Sequence, residues 1–210
     1  MNPQCEKLHK LFSNMKRHFF PFNENEIPLD GIYILFEKGE KSHGGDRIVR
    51  IGTHTGKDQL RSRLKQHFIM ENKDRSIFRK NIGRALLKKS GGLFLEQWEF
   101  DLTSRTNKEK YLSKINLEKQ KEIEKKVTLF IQDNFSFVVF EIKDKQKRLE
   151  FESKIISAIS SCKECSASKN WLGLCSPKEK IRESGLWLVN ELYKKQLSES
   201  EFEELKSYLK

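Results

Sequence analysis

Five side chains carry most of the chemistry this sequence offers. Tyr33 follows Gly31-Ile32, and Arg50 opens Arg50-Ile51-Gly52. Arg63 and His67 stand four residues apart. Glu152 has Leu149, Ile155, Ile156 and Ile159 at helical spacings around it. A phenol can orient or deprotonate a water, a guanidinium fork fits the oxygens of a phosphate, and an imidazole can relay a proton. A carboxylate set in an apolar stripe is costly to bury unless it is paired or binds a cation. Such a set suits attack on a phosphodiester. The plain alternative for Glu152 is a structural pair with an arginine. Glu150 differs, because Lys154 at i+4 makes it an ordinary surface pair.

The elements that position these groups follow from periodicity. Ile32, Ile34 and Phe36 alternate with Tyr33 and Leu35, and Val49 and Ile51 alternate with Ile48 and Arg50. A turn at 41–46 joins two strands, near 31–37 and 47–52. If Ile32, Ile34, Val49 and Ile51 share the core face, Tyr33 and Arg50 share the other. A helix over about 59–69 presents Leu60, Leu64 and Phe68, with Arg63 and His67 meeting on one edge. Ser76 caps a helix to about 89, followed by Gly91-Gly92. Residues 93–105 are ambiguous. The Lys/Glu-rich stretch 107–133 reads as one long solvated helix. Residues 135–142, rich in aromatic and β-branched side chains, predict the strongest strand, and a helix over 146–161 carries Glu152.

The resulting expectation is an α/β fold: a small three-stranded antiparallel sheet flanked by helices, with helical N- and C-terminal extensions. Residues 1–30 form a helical leader with Leu8, Phe12, Met15 and Phe19 at helical spacing, ended by Pro21 and Pro28. Residues 31–175 form the central domain, with the helical insertion at 107–133. Residues 176–210 form a C-terminal extension packed on the same domain, its last helix running to Lys210.

Composition narrows the partners. There are 41 basic against 30 acidic residues, a net charge of +11. That surplus favours a polyanion, since each phosphate neutralised releases counterions. No apolar run reaches the ~20 residues of a membrane span, and the N-terminal MNPQCEKLHKLF lacks the apolar core of a signal peptide. The expected location is the cytoplasm. Four cysteines, Cys5, Cys162, Cys165 and Cys175, do not make a disulfide framework. Cys162 and Cys165 have metal-ligand spacing and Cys175 follows. A structural zinc would need Cys5 or a histidine as fourth ligand, so partly buried thiols are the simpler reading.

In this order and spacing the motifs resemble those of the GIY-YIG nuclease superfamily. Its first motif stands as Gly31-Ile32-Tyr33 and its second as Arg50-Ile51-Gly52, with arginine for tyrosine. Arg63, His67 and Glu152 match its helix arginine, helix histidine and acidic metal ligand. The runs Arg50–His54, Ser76–Arg79 with Gly83–Leu86, Trp171–Gly173 and Ser184–Trp187 look like a bacterial branch of it, and the resemblance covers about residues 30–190. Two further features depart from the pattern. The segment Ile34–Val49 is longer than the compact form, and the late asparagine is matched only by Asn170.

The resemblance implies a metal-dependent DNA endonuclease with Tyr33, Arg50, Arg63, His67 and Glu152 as catalytic residues. Mg²⁺ or Mn²⁺ on Glu152 would stabilise the leaving oxygen. Arg50 would replace the missing tyrosine by favouring a phenolate at Tyr33. His54, Arg61, Lys65, Arg79 and Asn170 are the further residues expected to bind DNA. A homodimer is compatible with this reading. The implied role is restriction or phage defence. A non-catalytic nucleic-acid-binding module, or a repair or mobile-element nuclease, is the alternative.

Overall fold

Gly31–Ser42 (β2) and Gly45–Gly52 (β3) form an antiparallel hairpin, and Phe135–Glu141 (β4) pairs with the other edge of β2. The computed structural model, which describes residues 3–209, adds a further strand. His18–Phe19 (β1) pairs with β4 through His18 and Phe137, so the order is β1-β4-β2-β3. The sheet therefore has four strands where three are expected. Two residues are too few for alternation to register, and only the exposed edge of β4 fixes them as a strand.

The helices are Pro3–Ser13 (α1), Leu60–Phe68 (α2), Ile77–Lys89 (α3), Leu95–Glu99 (α4), Arg105–Tyr111 (α5), Leu117–Asn134 (α6), Lys145–Ser160 (α7), Glu179–Ser184 (α8) and Glu199–Ser207 (α9). Three expectations are corrected. The leader helix stops at Ser13, so Met15 and Phe19 fall outside it, and Phe19 is exposed. The insertion is broken at 112–116, where the Asn116 side chain accepts from Lys119 N–H and starts α6 afresh. Nor is it wholly solvated, because α6 buries Ile123, Val127 and Ile131. The last helix ends at Ser207, and Lys210 lies outside the described residues.

Helices cover both faces of the sheet. Tyr33, Leu35, Val49 and Phe137 pack with Leu60, Leu64 and Phe68 of α2, Phe78 and Ile82 of α3, and the buried side of α6. Ile32, Ile34, Phe36, Ile51 and Val138 pack with Leu8 and Phe12 of α1, Phe151, Ile155 and Ile159 of α7, and Phe202 and Leu205 of α9. Both chain ends thus contribute to the core of the sheet. Burial on both faces explains why β2 reads as a continuous apolar run. Val49 does not share a face with Ile32 and Ile34, contrary to expectation. Leu35 pairs with Arg50 but Phe36 with Ile48, so a β-bulge at Val49 turns that side chain to the Tyr33 side. Tyr33 and Arg50 do share a face.

The long hairpin docks on the loop that follows α7. Glu40 accepts from Arg47 Nε at 2.9 Å and from Ser168 N–H at 3.1 Å. Buried Glu37 accepts from Trp171 Nε1 at 2.7 Å and Trp187 Nε1 at 2.8 Å. Burial raises its carboxyl to about 7, despite both indole donors. The fold therefore favours the protonated acid. That stabilisation is full below the ordinary carboxylate range near 4.5 and is lost as pH rises through about 7. The gap corresponds to about 3 kcal/mol. Glu37→Gln, which keeps a neutral group of the same shape, is expected to gain in thermal midpoint over the parent between pH 5 and pH 8. Parallel melting curves over that range would rule this out.

Candidate active site

The site forms where β3, the edge strand, meets α2, α3 and α7. Tyr33 pairs with Gly52 across the hairpin. A Cβ on Gly52 would lie 2.2 Å from Tyr33 Oη, so only glycine leaves room for the phenol. Tyr33 Oη lies 2.8 Å from His67 Nε2 and accepts from Arg50 Nε at 3.4 Å. Arg50 Nη1 donates to the Trp187 carbonyl. His67 Nδ1 lies 2.7 Å from Ser76 Oγ, which also accepts Arg79 N–H as the cap of α3. Burial first, then the charges of Arg63, Arg50 and Arg79, hold the His67 imidazole well below the usual histidine range. The ring is neutral.

Tyr33, neutral His67 and Ser76 carry three mobile hydrogens, and the two links between them use two. One hydroxyl hydrogen is left over within the chain. In one tautomer Ser76 donates to Nδ1 and Nε2–H donates to Oη, which also accepts from Arg50 Nε.

Glu152 enters from the opposite layer. The α7 register turns it toward the end of β3, where its Oε1 accepts Thr53 N–H at 3.0 Å. Burial raises its carboxyl above the usual range, while Arg50, the Thr53 N–H and Arg63 oppose the shift and Glu191 adds to it. Arg50 therefore couples the two halves, bonded to Tyr33 and acting by charge on Glu152. Arg50 and Glu152 line one cleft of about 420 Å³ together with Ile77, Asn81, Trp187, Asn190 and Glu191. Arg63 lines a smaller cleft of about 240 Å³ with Thr53, His54 and Gln66, its Nη1 held by Gln66 Oε1 and the Arg75 carbonyl. Thr53 sits between the two.

The five residues expected to bind DNA fare differently. His54 is buried, with Nδ1–H donating to Gly56 O at 2.7 Å and Nε2 accepting Gly31 N–H at 3.3 Å, so its ring is spent joining the start of β2 to the loop after β3. Arg79 is fully buried and committed to Glu124, Thr128 and the His67 carbonyl, which takes it out of reach of a ligand. Arg61 donates to Ile27 O, and Lys65 pairs with Glu24 at 2.7 Å, both partly exposed. Asn170 is exposed and lines neither cleft. The asparagines brought beside Glu152 are Asn81 and Asn190. Their signal was weak: Asn190 follows the Ser184–Trp187 run, and Asn81 is one polar residue inside a helix. Ser76 was legible as a cap but not as the partner of His67.

A family model described as a GIY-YIG domain matches residues 6–210. The chain belongs to the GIY-YIG family. No curated protein and no solved structure matches it. Membership points to an endonuclease in general, with DNA as substrate and a divalent cation as the common cofactor of such nucleases. Among the described residues, no helix of this GIY-YIG protein is long and apolar enough to cross a membrane.

The donors around Glu152 fit such a cation. Glu152, Asn190 and Glu191 offer oxygens on one cleft, the hard ligands that Mg²⁺ and Mn²⁺ prefer. No sulfur or imidazole lines that cleft to favour a softer ion.

Proposed function

We propose that this GIY-YIG protein hydrolyses DNA phosphodiesters in a divalent-cation-dependent reaction at the Arg50–Glu152 cleft. The observation that carries this reading is the unbroken linkage Ser76–His67–Tyr33–Arg50, with Arg50 lining the cleft beside Glu152. Glu152 would hold the cation, which when bound supplies Lewis-acid stabilisation of the leaving oxygen. Arg63 would clamp the scissile phosphate from the neighbouring cleft.

Tyr33 has no exposed surface and lies behind Arg50. On this reading a water would reach its oxygen once Arg50 turns from the Trp187 carbonyl. A phosphate would drive that exchange, because an anion is a stronger partner for a guanidinium than a neutral carbonyl. With its own proton released to solvent and His67 Nε2–H and Arg50 donating to the phenolate oxygen, Tyr33 would then take the proton of the attacking water and return to the neutral phenol. On this view the site arms itself when DNA arrives.

Plasmid nicking by the purified protein with Mg²⁺ or Mn²⁺, abolished by a chelator, tests the activity. Binding without nicking under every divalent ion would favour a non-catalytic binding module instead. We favour restriction as the role. It predicts that unmodified DNA is cut in preference to DNA carrying protective base modification, and equal cutting of both would argue against it.

Arg50→Gln is expected to shift the acidic limb of the pH–rate profile upward. Arg50 opposes the burial that raises the Glu152 carboxyl, so its removal leaves that group protonated to higher pH. A protonated carboxyl cannot serve a cation. Single-turnover rates at saturating enzyme across a pH series measure the shift. A lowered but unmoved profile would confine Arg50 to contacts with the phosphate.

A further inference from the structure

A second cluster of metal-binding side chains lies away from the cleft, where α1, the tip of the β2–β3 hairpin and the loop after α7 converge. Cys5, His9, His43 and Cys165 place one ligand atom each within 4.8 Å of one another. We propose that these four residues hold a structural zinc ion.

Two of the six ligand–ligand separations are near tetrahedral length, the sulfur pair being slightly short. Cys5 Sγ lies 3.2 Å from Cys165 Sγ, and Cys165 Sγ lies 3.7 Å from His9 Nε2. A tetrahedron with Zn–N and Zn–S bonds of about 2.0–2.3 Å has edges of roughly 3.3–3.8 Å. Small side-chain rotations close the set around one ion. Two sulfurs with two imidazoles is a donor set that selects zinc among common divalent ions.

The surroundings orient the ligands. Cys5 and His9 stand at i and i+4 on α1 and so face the same way. His9 Nδ1–H donates to the Cys5 carbonyl at 2.9 Å, which directs Nε2 at the cluster. The His43 Nδ1 side faces Glu164 Oε2 at 3.8 Å, and its Nε2 lies 3.5 Å from Cys162 Sγ, a thiol outside the four that a bound ion would displace from the ring. The carboxylate puts negative charge behind the ring, and a short approach would complete the carboxylate–histidine support common at zinc sites. His43 is held at φ 49, in the left-handed region, at the hairpin turn. Ser42 Oγ lies 3.2 Å from Cys165 Sγ. One contact competes: Ile48 N–H donates to His9 Nε2 at 3.2 Å, and a bound ion takes that lone pair. Cys162 and Cys175, the other two cysteines of the sequence pattern, are not among the four.

On binding, each thiol gives its proton to solvent and the two thiolates neutralise the ion. The ion ties together three segments far apart in the chain. It also gives the long hairpin a purpose, since the residues beyond the compact form of the family are the ones that bring His43 over α1.

Zinc content and cobalt exchange of the full chain test this. Protein purified without chelator is expected to carry one zinc per chain. Replacement by Co²⁺ should give intense tetrahedral d–d bands and a thiolate-to-cobalt charge-transfer band. C5S, H9N and C165S should lose the metal, and C175S should keep it. If the ligand variants fail to fold, titrating the stripped parent chain with Zn²⁺ against a zinc-binding dye gives the stoichiometry directly. Zinc well below one per chain after reconstitution under reducing conditions overturns the proposal, as does a cobalt spectrum without thiolate bands. An intact mass two hydrogens lighter after such handling, with the link mapped to Cys5 and Cys165 by peptide mass analysis, would also overturn it. E152Q should retain the zinc, so failure of the nuclease reading leaves this result standing, and the converse holds.

Discussion

Tyr33→Phe is expected to lower the single-turnover rate of DNA cleavage by about 10²–10⁴-fold, the range associated with loss of a positioned acid or base. DNA binding should be nearly unchanged, because Tyr33 has no exposed surface to offer the duplex. The substitution removes one oxygen and leaves the ring in place. It also strips an acceptor from Arg50 Nε and from His67, at a cost of about 1–3 kcal/mol in stability. The assay therefore belongs well below the melting transition, with a thermal melt beside it. His67→Gln offers a second view, since it keeps a polar side chain but breaks the relay to Ser76. A Y33F protein that is folded, binds DNA and cuts within about tenfold of the parent would remove Tyr33 from the role of base.

Glu152→Gln is expected to abolish cation-dependent cleavage, while Glu150→Ala behaves like the parent. The two carboxylates are two residues apart on α7 but live in different environments. Glu152 is half-buried against Thr53 N–H in the cleft, and Glu150 is exposed with Lys154 at 2.5 Å. Lys154 is half-buried and keeps a second carboxylate partner in Glu201, so loss of the exposed Glu150 leaves it paired and costs little, about 0.3–0.5 kcal/mol. Glutamine keeps the acceptor for Thr53, so the E152Q fold should hold and DNA binding should persist. Titration with Mn²⁺ should show weakened cation affinity alongside the lost rate. Equal loss in both variants would mean that α7 failed as a helix or that the wrong carboxylate was chosen. Full activity in E152Q would move the cation elsewhere on the cleft, with Glu191 the next candidate.

The sequence by itself determined what depends on spacing within one element. A strand period put Tyr33 and Arg50 on one face, and a helical period put Arg63 beside His67 and set Glu152 apart from Glu150. Ser76 was recognisable as a cap because capping is local chemistry. The ordered motifs were enough to indicate the family that residues 6–210 match. These signals survive because each rests on neighbours a few residues away.

The tertiary structure decided what depends on segments that meet from afar. It showed which arginines face a cleft: Arg63 lines one, while Arg79, with the same side chain, is buried against Glu124 of α6. It placed Val49 on the Tyr33 side through a bulge and added β1 to the sheet. It brought Asn190 to Glu152 and left Asn170 outside both clefts, because the chain after α7 turns back along β3, where Trp187 N–H donates to the Val49 carbonyl. It replaced a three-cysteine pattern near residue 165 with a cluster drawn from α1, the hairpin tip and that loop. Periodicity gives each element its faces, but the packing of one face on another is chosen by the whole core, and no local spacing encodes that choice.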